Sequence, residues 1–220
     1  MVELIPDSYT SRLNLSGIFG RAAALQVDLG CGDGSFLCEL AARFPDKNFL
    51  GIERLTGRVA KTARRAAEIG NVRVLYAETA YAVRYLLPEC SIEVFYLSFP
   101  DPWPKRRHHR RRTFTLKFLD SIHVALEENG IFRIATDHRD YFEHITKVSG
   151  NHSGFLVVDA NDVAQRDLLK LDCFKQSSWQ EAGIVESDDW VLPPTKFEKR
   201  FRAQGAAIYR LALRKVSPVI

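Results

Sequence analysis

The sequence has no uninterrupted apolar run approaching the roughly 18 residues that a membrane-spanning helix requires, so no segment reads as a span. Its four cysteines, Cys31, Cys38, Cys90 and Cys173, include no C-x-x-C pair, which argues against a zinc ribbon and against a disulfide scaffold. They read as reduced thiols of a cytoplasmic protein. Residues 1–17 lack a basic segment leading into an apolar stretch, and no secretory signal is expected. With 13 glycines and 9 prolines in 220 residues, the chain is neither collagenous nor of low complexity. No internal repeat appears, and no linker divides the chain. A large excess of one charge is also missing: 31 Lys and Arg stand against 27 Asp and Glu, a net charge of +4. Bulk charge therefore says little about partners, and its placement says more.

What is present is an ordinary globular composition, 46% hydrophobic and 26% charged. A domain of this length buries roughly 70% of its unfolded surface, enough for a sizeable core. We expect a single domain over residues 1–220, with residues 1–24 as an N-terminal extension. Strand-like runs begin near positions 25, 48, 72, 92 and 131, and most of the intervals carry apolar residues at helical spacing. Phe36, Leu37, Leu40, Ala41 and Phe44 make one such face, stopped by Pro45; Val59, Ala63 and Ala66 make another, closed by Gly70. A short helix is expected to run to Leu87, and a long one from Phe114 to Glu128, ending at Asn129-Gly130. Alternation of this kind means βαβ units and a doubly wound, mostly parallel α/β sheet. Phe155 to Val158 and Ala206 to Leu213 read as two further strands, whereas residues 161–194 follow no clear pattern.

In such sheets ligands bind beyond the carboxyl ends of the strands. The first main strand ends in Asp28-Leu-Gly30-Cys-Gly32-Asp-Gly34, where glycines allow backbone to approach a ligand closely. A dinucleotide fingerprint would place Gly or Ala at position 35, but the chain has Ser35. An acid two residues before the first glycine resembles instead the first motif of class I S-adenosylmethionine-dependent methyltransferases, whose cofactor is cationic. Glu53 closes the second strand, where a carboxylate accepts ribose hydroxyls in either cofactor class. Glu78 follows the third strand, placed either near an adenine amino group or simply as a helix-start acid.

The fourth strand runs into Phe99-Pro-Asp101-Pro-Trp103-Pro-Lys105-Arg-Arg-His108-His-Arg110-Arg111-Arg112. Three prolines around one acid restrict the loop and hold Asp101 at the edge of the sheet. Six of the eight residues from Lys105 to Arg112 are Lys or Arg, more positive charge than the whole chain carries net. A patch of that density is the footprint of a polyphosphate partner. Trp103, between two prolines, is placed to face RNA.

This loop resembles the signature of the tRNA (guanine-N7)-methyltransferases, and Thr136-Asp137 and Thr195-Lys196-Phe197-Glu198-Lys199-Arg200 match that family's later motifs. The Trp103-Pro-Lys105 form is similar to the bacterial single-subunit members. The resemblance implies a seven-stranded, Rossmann-like class I sheet with an antiparallel last strand. It implies methyl transfer from S-adenosylmethionine to N7 of a guanine in tRNA, at guanine 46 of the variable loop. The partner is then tRNA, with no membrane and no obligate protein subunit, and the chain acts as a monomer or homodimer. Cofactor contacts fall on Asp28, Gly30, Gly32, Gly34, Glu53, Glu78 and Asp101, with Asp101 also the active-site acid. Substrate contacts fall on Lys105, Asp137, Thr195, Lys196, Phe197 and Glu198, and the loop charges Arg110, Arg111 and Arg112 are assigned to the RNA backbone. Family members more often have Glu at the position of Asp28 and Asp at that of Glu78. Many also carry a basic N-terminal arm, whereas residues 1–24 here hold only Arg12 and Arg21.

Guanine N7 is unprotonated, so its attack on a sulfonium methyl needs no general base. Proximity and in-line orientation supply most of the barrier reduction, and a fixed carboxylate favours the positive charge that develops on the purine. Asp101 suits that role and is also able to accept from the N1–H and N2 edge of guanine. Asp137 is the second candidate for that edge, or else caps the following helix. His108, His109, His138 and His144 lack metal-ligand spacing, and no metal is expected. The competing readings are a methyltransferase of another RNA and an RNA-binding protein on an inactive methyltransferase fold. A nicotinamide oxidoreductase is disfavoured by Ser35 and Asp28.

Overall fold

The structure, a computed structural model, describes residues 2–158 and 192–217. The patternless stretch of the sequence, with Cys173, Trp179 and Trp190, lies outside the described residues except at its end. Eight strands form one sheet: β1 (Glu3–Leu4), β2 (Leu25–Leu29), β3 (Asn48–Glu53), β4 (Val72–Tyr76), β5 (Ile92–Ser98), β6 (Leu126–Thr136), β7 (Phe155–Val158) and β8 (Tyr209–Lys215). Their order is β1-β4-β3-β2-β5-β6-β8-β7. All neighbours are parallel except β8, which runs antiparallel to β6 and β7. This is the doubly wound α/β sheet expected, with a two-residue parallel edge strand added at the N-terminus.

Every residue of β2 and β3 is buried, because helices cover both faces of a central parallel strand. Helix α1 (Leu15–Phe19) lies in the N-terminal extension, and helices α2 (Ser35–Arg43) and α3 (Thr56–Arg65) follow β2 and β3. On one face Phe36, Leu37, Leu40 and Phe49 pack with Tyr96. On the other, Phe95, Phe114, Phe118 and Phe132 form the aromatic centre of the larger cluster. That cluster is closed by α5 (Leu116–Ala125) and α6 (Arg139–Gly150). Helix α7 (Lys196–Ala203) precedes β8.

Two boundaries differ from the sequence pattern for a structural reason. The long helix stops at Ala125, since Leu126 is already extended and pairs with Ile92 in the sheet. The register then shifts before Val94 meets Ile131, and Asn129 takes a φ of 64° within that irregular strand segment. The short helix to Leu87 divides into α4 (Thr79–Tyr81) and a π-helical turn, Ala82–Leu86. The N-terminal arginines clamp the extension onto the domain. Arg21 donates to Asn48 Oδ1 at 2.8 Å and to the Pro45 carbonyl at 2.9 Å, and Arg12 donates to the carbonyls of Arg84 and Leu87, both at 2.7 Å.

The chain moves outward from β2 through β3 to β4 and then returns to place β5 on the other side of β2. This reversal opens a crevice at the carboxyl ends of β2 and β5, the place where ligands bind in such sheets. The glycine turn and the Asp101 loop are the two segments that flank it.

Candidate active site

The turn after β2 has Gly30, Gly32 and Gly34 at φ of 80°, 61° and 73°, a region side chains rarely adopt. A Cβ on Gly34 would also strike the Thr62 side chain at 2.6 Å, whereas one on Gly30 would meet nothing within 4 Å. Glycine at position 34 thus lets the turn pack on α3, while the surface beside Gly30 stays open. The turn is tied to β3 by amides of Gly30 and Cys31, which donate to the Ile52 carbonyl at 2.8 and 3.1 Å.

Glu53 is buried at the end of β3, yet well satisfied. One carboxylate oxygen accepts from the Gly32 amide at 3.1 Å, and the other from the amides of Arg54 and Leu55 at 2.8 and 2.9 Å. Asp28 is equally buried, and among the described residues no hydrogen-bond donor reaches its carboxylate. Burial first, and then the nearby Glu53 charge, push Asp28 from 3.8 up to about 7. Glu78 caps α4, accepting from the amides of Ala80 at 3.0 Å and Tyr81 at 2.7 Å. Beside it Tyr9, Arg54, Tyr76, Ala77 and Tyr81 line a cleft of about 430 Å³.

The loop after β5 begins with Phe99 at a φ of 54° and contains Trp103 at 44°, both uncommon for non-glycine residues and concentrated at functional loops. Between them Asp101 is exposed, 3.8 Å from the Arg54 guanidinium across the crevice mouth. Trp103 is half-buried under its own loop, with Arg111 5.0 Å above the ring and His108 meeting its edge. The basic run is a 3-10 helix, Arg106–Arg111, whose arginines are exposed to solvent together with Lys105.

Arg112 departs from the expected phosphate contact. It is buried, donates to the Pro102 carbonyl at 2.9 Å, pairs with Asp140 of α6 and lies 4.9 Å over the Tyr141 ring. The 3-10 turn ends at Arg111, so the next side chain points back into the domain and pins the Asp101 loop to α6. Glu198, expected at the substrate from its motif, is also buried. Its carboxylate holds Arg202 at 2.9 Å and Arg210 of β8, which fixes α7 onto the sheet.

The other motif residues converge on the same edge. Thr195 caps α7 by accepting from the Glu198 amide at 3.0 Å. Lys196 reaches Asp33 of the glycine turn at 3.9 Å, and the rings of Phe197 and Phe201 lie 6.4 and 5.4 Å from Phe99. The helix therefore touches both the glycine turn and the Asp101 loop. Asp137 follows β6, but the cap of α6 is His138, whose ring nitrogen accepts from the Tyr141 amide. Among the described residues no hydrogen bond or ion pair involves the Asp137 carboxylate. Arg54, Asp33 and Asp140 were not legible as site residues. Arg54 directly follows Glu53, but nothing local tells which way it points, and Asp140 acts only through a loop 28 positions away.

A tRNA (guanine-N(7)-)-methyltransferase from Halorhodospira halophila is 41% identical over 204 residues, covering 92% of this chain and 79% of that protein. This chain belongs to that family. The tRNA (guanine-N7)-methyltransferase from Thermotoga maritima is 30% identical over 97% of the chain, which spans 61% of that longer protein. The family described as "Putative methyltransferase" matches residues 22–174. Among solved structures, one described as an antibiotic-related methyltransferase superposes with a TM-score of 0.55 at 16% identity, covering 97% of this chain and 96% of that one. That likeness shows the class I methyltransferase fold of the family. No described helix is long and apolar enough to cross a membrane.

Proposed function

We propose that this chain transfers a methyl group from S-adenosylmethionine to N7 of a guanine in tRNA, at guanine 46 of the variable loop. The observation that carries this reading is the meeting of three elements at one crevice. The open glycine turn with its two buried acids lies on one side, Asp101 on the other, and a row of exposed cations follows Asp101 directly.

These residues suit the cofactor. Asp28 is a buried carboxylate without a hydrogen-bond donor among the described residues, which favours a cationic group beside the turn. Glu53 is oriented by three backbone amides to accept ribose hydroxyls, and Glu78 with Tyr76 and Tyr81 offers a half-open cleft for a purine. S-adenosylmethionine supplies an electrophilic methyl group on a sulfonium. Asp101 stands beside the incoming guanine, with Asp137 and Thr195 on the neighbouring strand and helix ends. It orients the base and favours the positive charge that methylation places on the purine. Lys105, Arg110 and Arg111 steer and hold the RNA backbone.

Bulk tRNA incubated with the protein and methyl-labelled S-adenosylmethionine should yield labelled 7-methylguanosine on nucleoside mass spectrometry. Fragment mapping should place the label in the variable loop. Label in another nucleoside, or none in tRNA, would refute the assignment.

The different fates of neighbouring arginines give a second expected result. Replacing Arg110 and Arg111 by Ala should flatten the dependence of log tRNA affinity on log salt by about 1.4 to 1.8 units, at 0.7 to 0.9 per lost phosphate contact. Arg112→Ala should leave that slope unchanged and destabilise the fold by about 1.5 to 3 kcal/mol, the scale of a hydrogen bond to a charged group. Filter binding across a salt series and chemical denaturation measure the two effects. A flattened slope in the Arg112 variant would return it to the RNA.

A further inference from the structure

A cleft of about 500 Å³ is separate from the crevice. It lies between the π-helical turn and α5, and none of its lining residues belongs to the glycine turn, the Asp101 loop or α7. Its charge is one-sided. Arg12, Arg84 and Lys117 line it against a single acid, Asp120, whose carboxylate is also bonded to His152 at 3.1 Å. Its aromatic wall is Tyr85, 46% exposed, with the Arg84 guanidinium 5.2 Å above the ring.

A second exposed tyrosine, Tyr81, sits 4.9 Å from Tyr85 and belongs to the cleft beside Glu78. The paired rings therefore connect the crevice to this outlying cleft along the helix that follows β4. Tyr85 lies in the π-helical turn, and such turns recur at functional sites. Core packing does not account for Tyr85. Val83, Leu86 and Leu87 of the same segment are buried, whereas Arg84 and Tyr85 face solvent. Stacking rings interleaved with cations, without a matching set of acids, are the equipment for holding a base by its face and its phosphate by charge.

We propose that this cleft holds an unpaired nucleotide of the tRNA substrate, its base stacked on Tyr85 and its phosphate between Arg84 and Lys117. The proposal rests on the tRNA reading above and extends it to a second contact surface. That surface keeps the RNA engaged beyond the methylated guanine.

The test uses the full chain and bulk tRNA. Tyr85→Ala should weaken tRNA binding about fivefold to a hundredfold, the range for one base stacked on an aromatic side chain. Tyr85→Phe should restore it, because the ring face is retained. Arg84→Glu with Lys117→Glu should weaken binding further and reduce the salt dependence, while S-adenosylmethionine affinity by calorimetry and the melting temperature stay at wild-type values. Wild-type tRNA affinity in Tyr85→Ala and in the charge-reversed variant would overturn this proposal while leaving the methyltransferase reading in place. Absence of tRNA methylation by the wild-type chain would remove that reading instead. A change of oligomeric state on sedimentation, without a change in tRNA affinity per chain, would assign the cleft to a second copy of the protein and overturn the RNA contact.

Discussion

Asp101→Asn should lower single-turnover methylation of tRNA roughly tenfold to a thousandfold, the scale of losing one preorganised electrostatic contact at a transition state. The fold should survive, because Asp101 is exposed and its nearest charged partner is Arg54 at 3.8 Å, a surface pair worth little to stability. Because N7 has no proton to lose, the carboxylate is not needed as a base. In the proposed reaction it contributes a negative charge beside a purine that becomes cationic, and asparagine keeps the shape while removing the charge. The rate loss should therefore appear in the chemical step at saturating tRNA, with tRNA affinity largely retained. Unchanged single-turnover rates would remove Asp101 from the chemistry.

Affinity for S-adenosylmethionine should rise about tenfold per pH unit below pH 7 and level off above it. Asp28 is pushed up to about 7 by its burial and by Glu53, so below that pH the ligand-free protein holds it neutral. A cationic ligand favours the ionised form, so binding at low pH must release a proton, and one proton per decade sets the slope. The same shift acts on stability with a definite sign. The folded value lies above the unfolded 3.8, so the folded state binds the extra proton between these limits. The Asp28 contribution to stability is then fully present below about pH 4 and is lost as pH rises through 7. Asp28→Asn should abolish the pH dependence of binding and stabilise the ligand-free protein relative to wild type at pH 8. Calorimetry in buffers of different ionisation enthalpy measures the released proton directly. A wild-type affinity flat from pH 5.5 to 8 would contradict this account.

Charge runs and motif residues divide once the chain is folded. Lys105, Arg106, Arg107, Arg110 and Arg111 stay exposed, but Arg112 turns inward under Pro102 and onto Asp140. A 3-10 turn changes side-chain direction within one residue, and composition is blind to that. Glu198 shows the same limit. Its motif was legible, but its place between Arg202 and Arg210 depends on β8 lying against α7 in space. The tyrosine-lined cleft was invisible for a related reason, since Arg12, Arg84 and Lys117 are far apart in sequence.

Local pattern alone determined the parallel α/β layout, the glycine turn after β2 and the placement of Asp28, Glu53 and Asp101 at strand ends. Hydrophobic periodicity and the φ freedom of glycine act over a few residues, so a linear reading recovers them. The tertiary structure decided which acid is satisfied and which is not. Glu53 receives three backbone amides because the turn folds over it, while Asp28, one strand away, has none among the described residues and is pushed toward neutrality. It also decided which arginines face solvent and where the exposed rings gather. Burial and electrostatics depend on every neighbour in space, and most of those neighbours come from elsewhere in the chain.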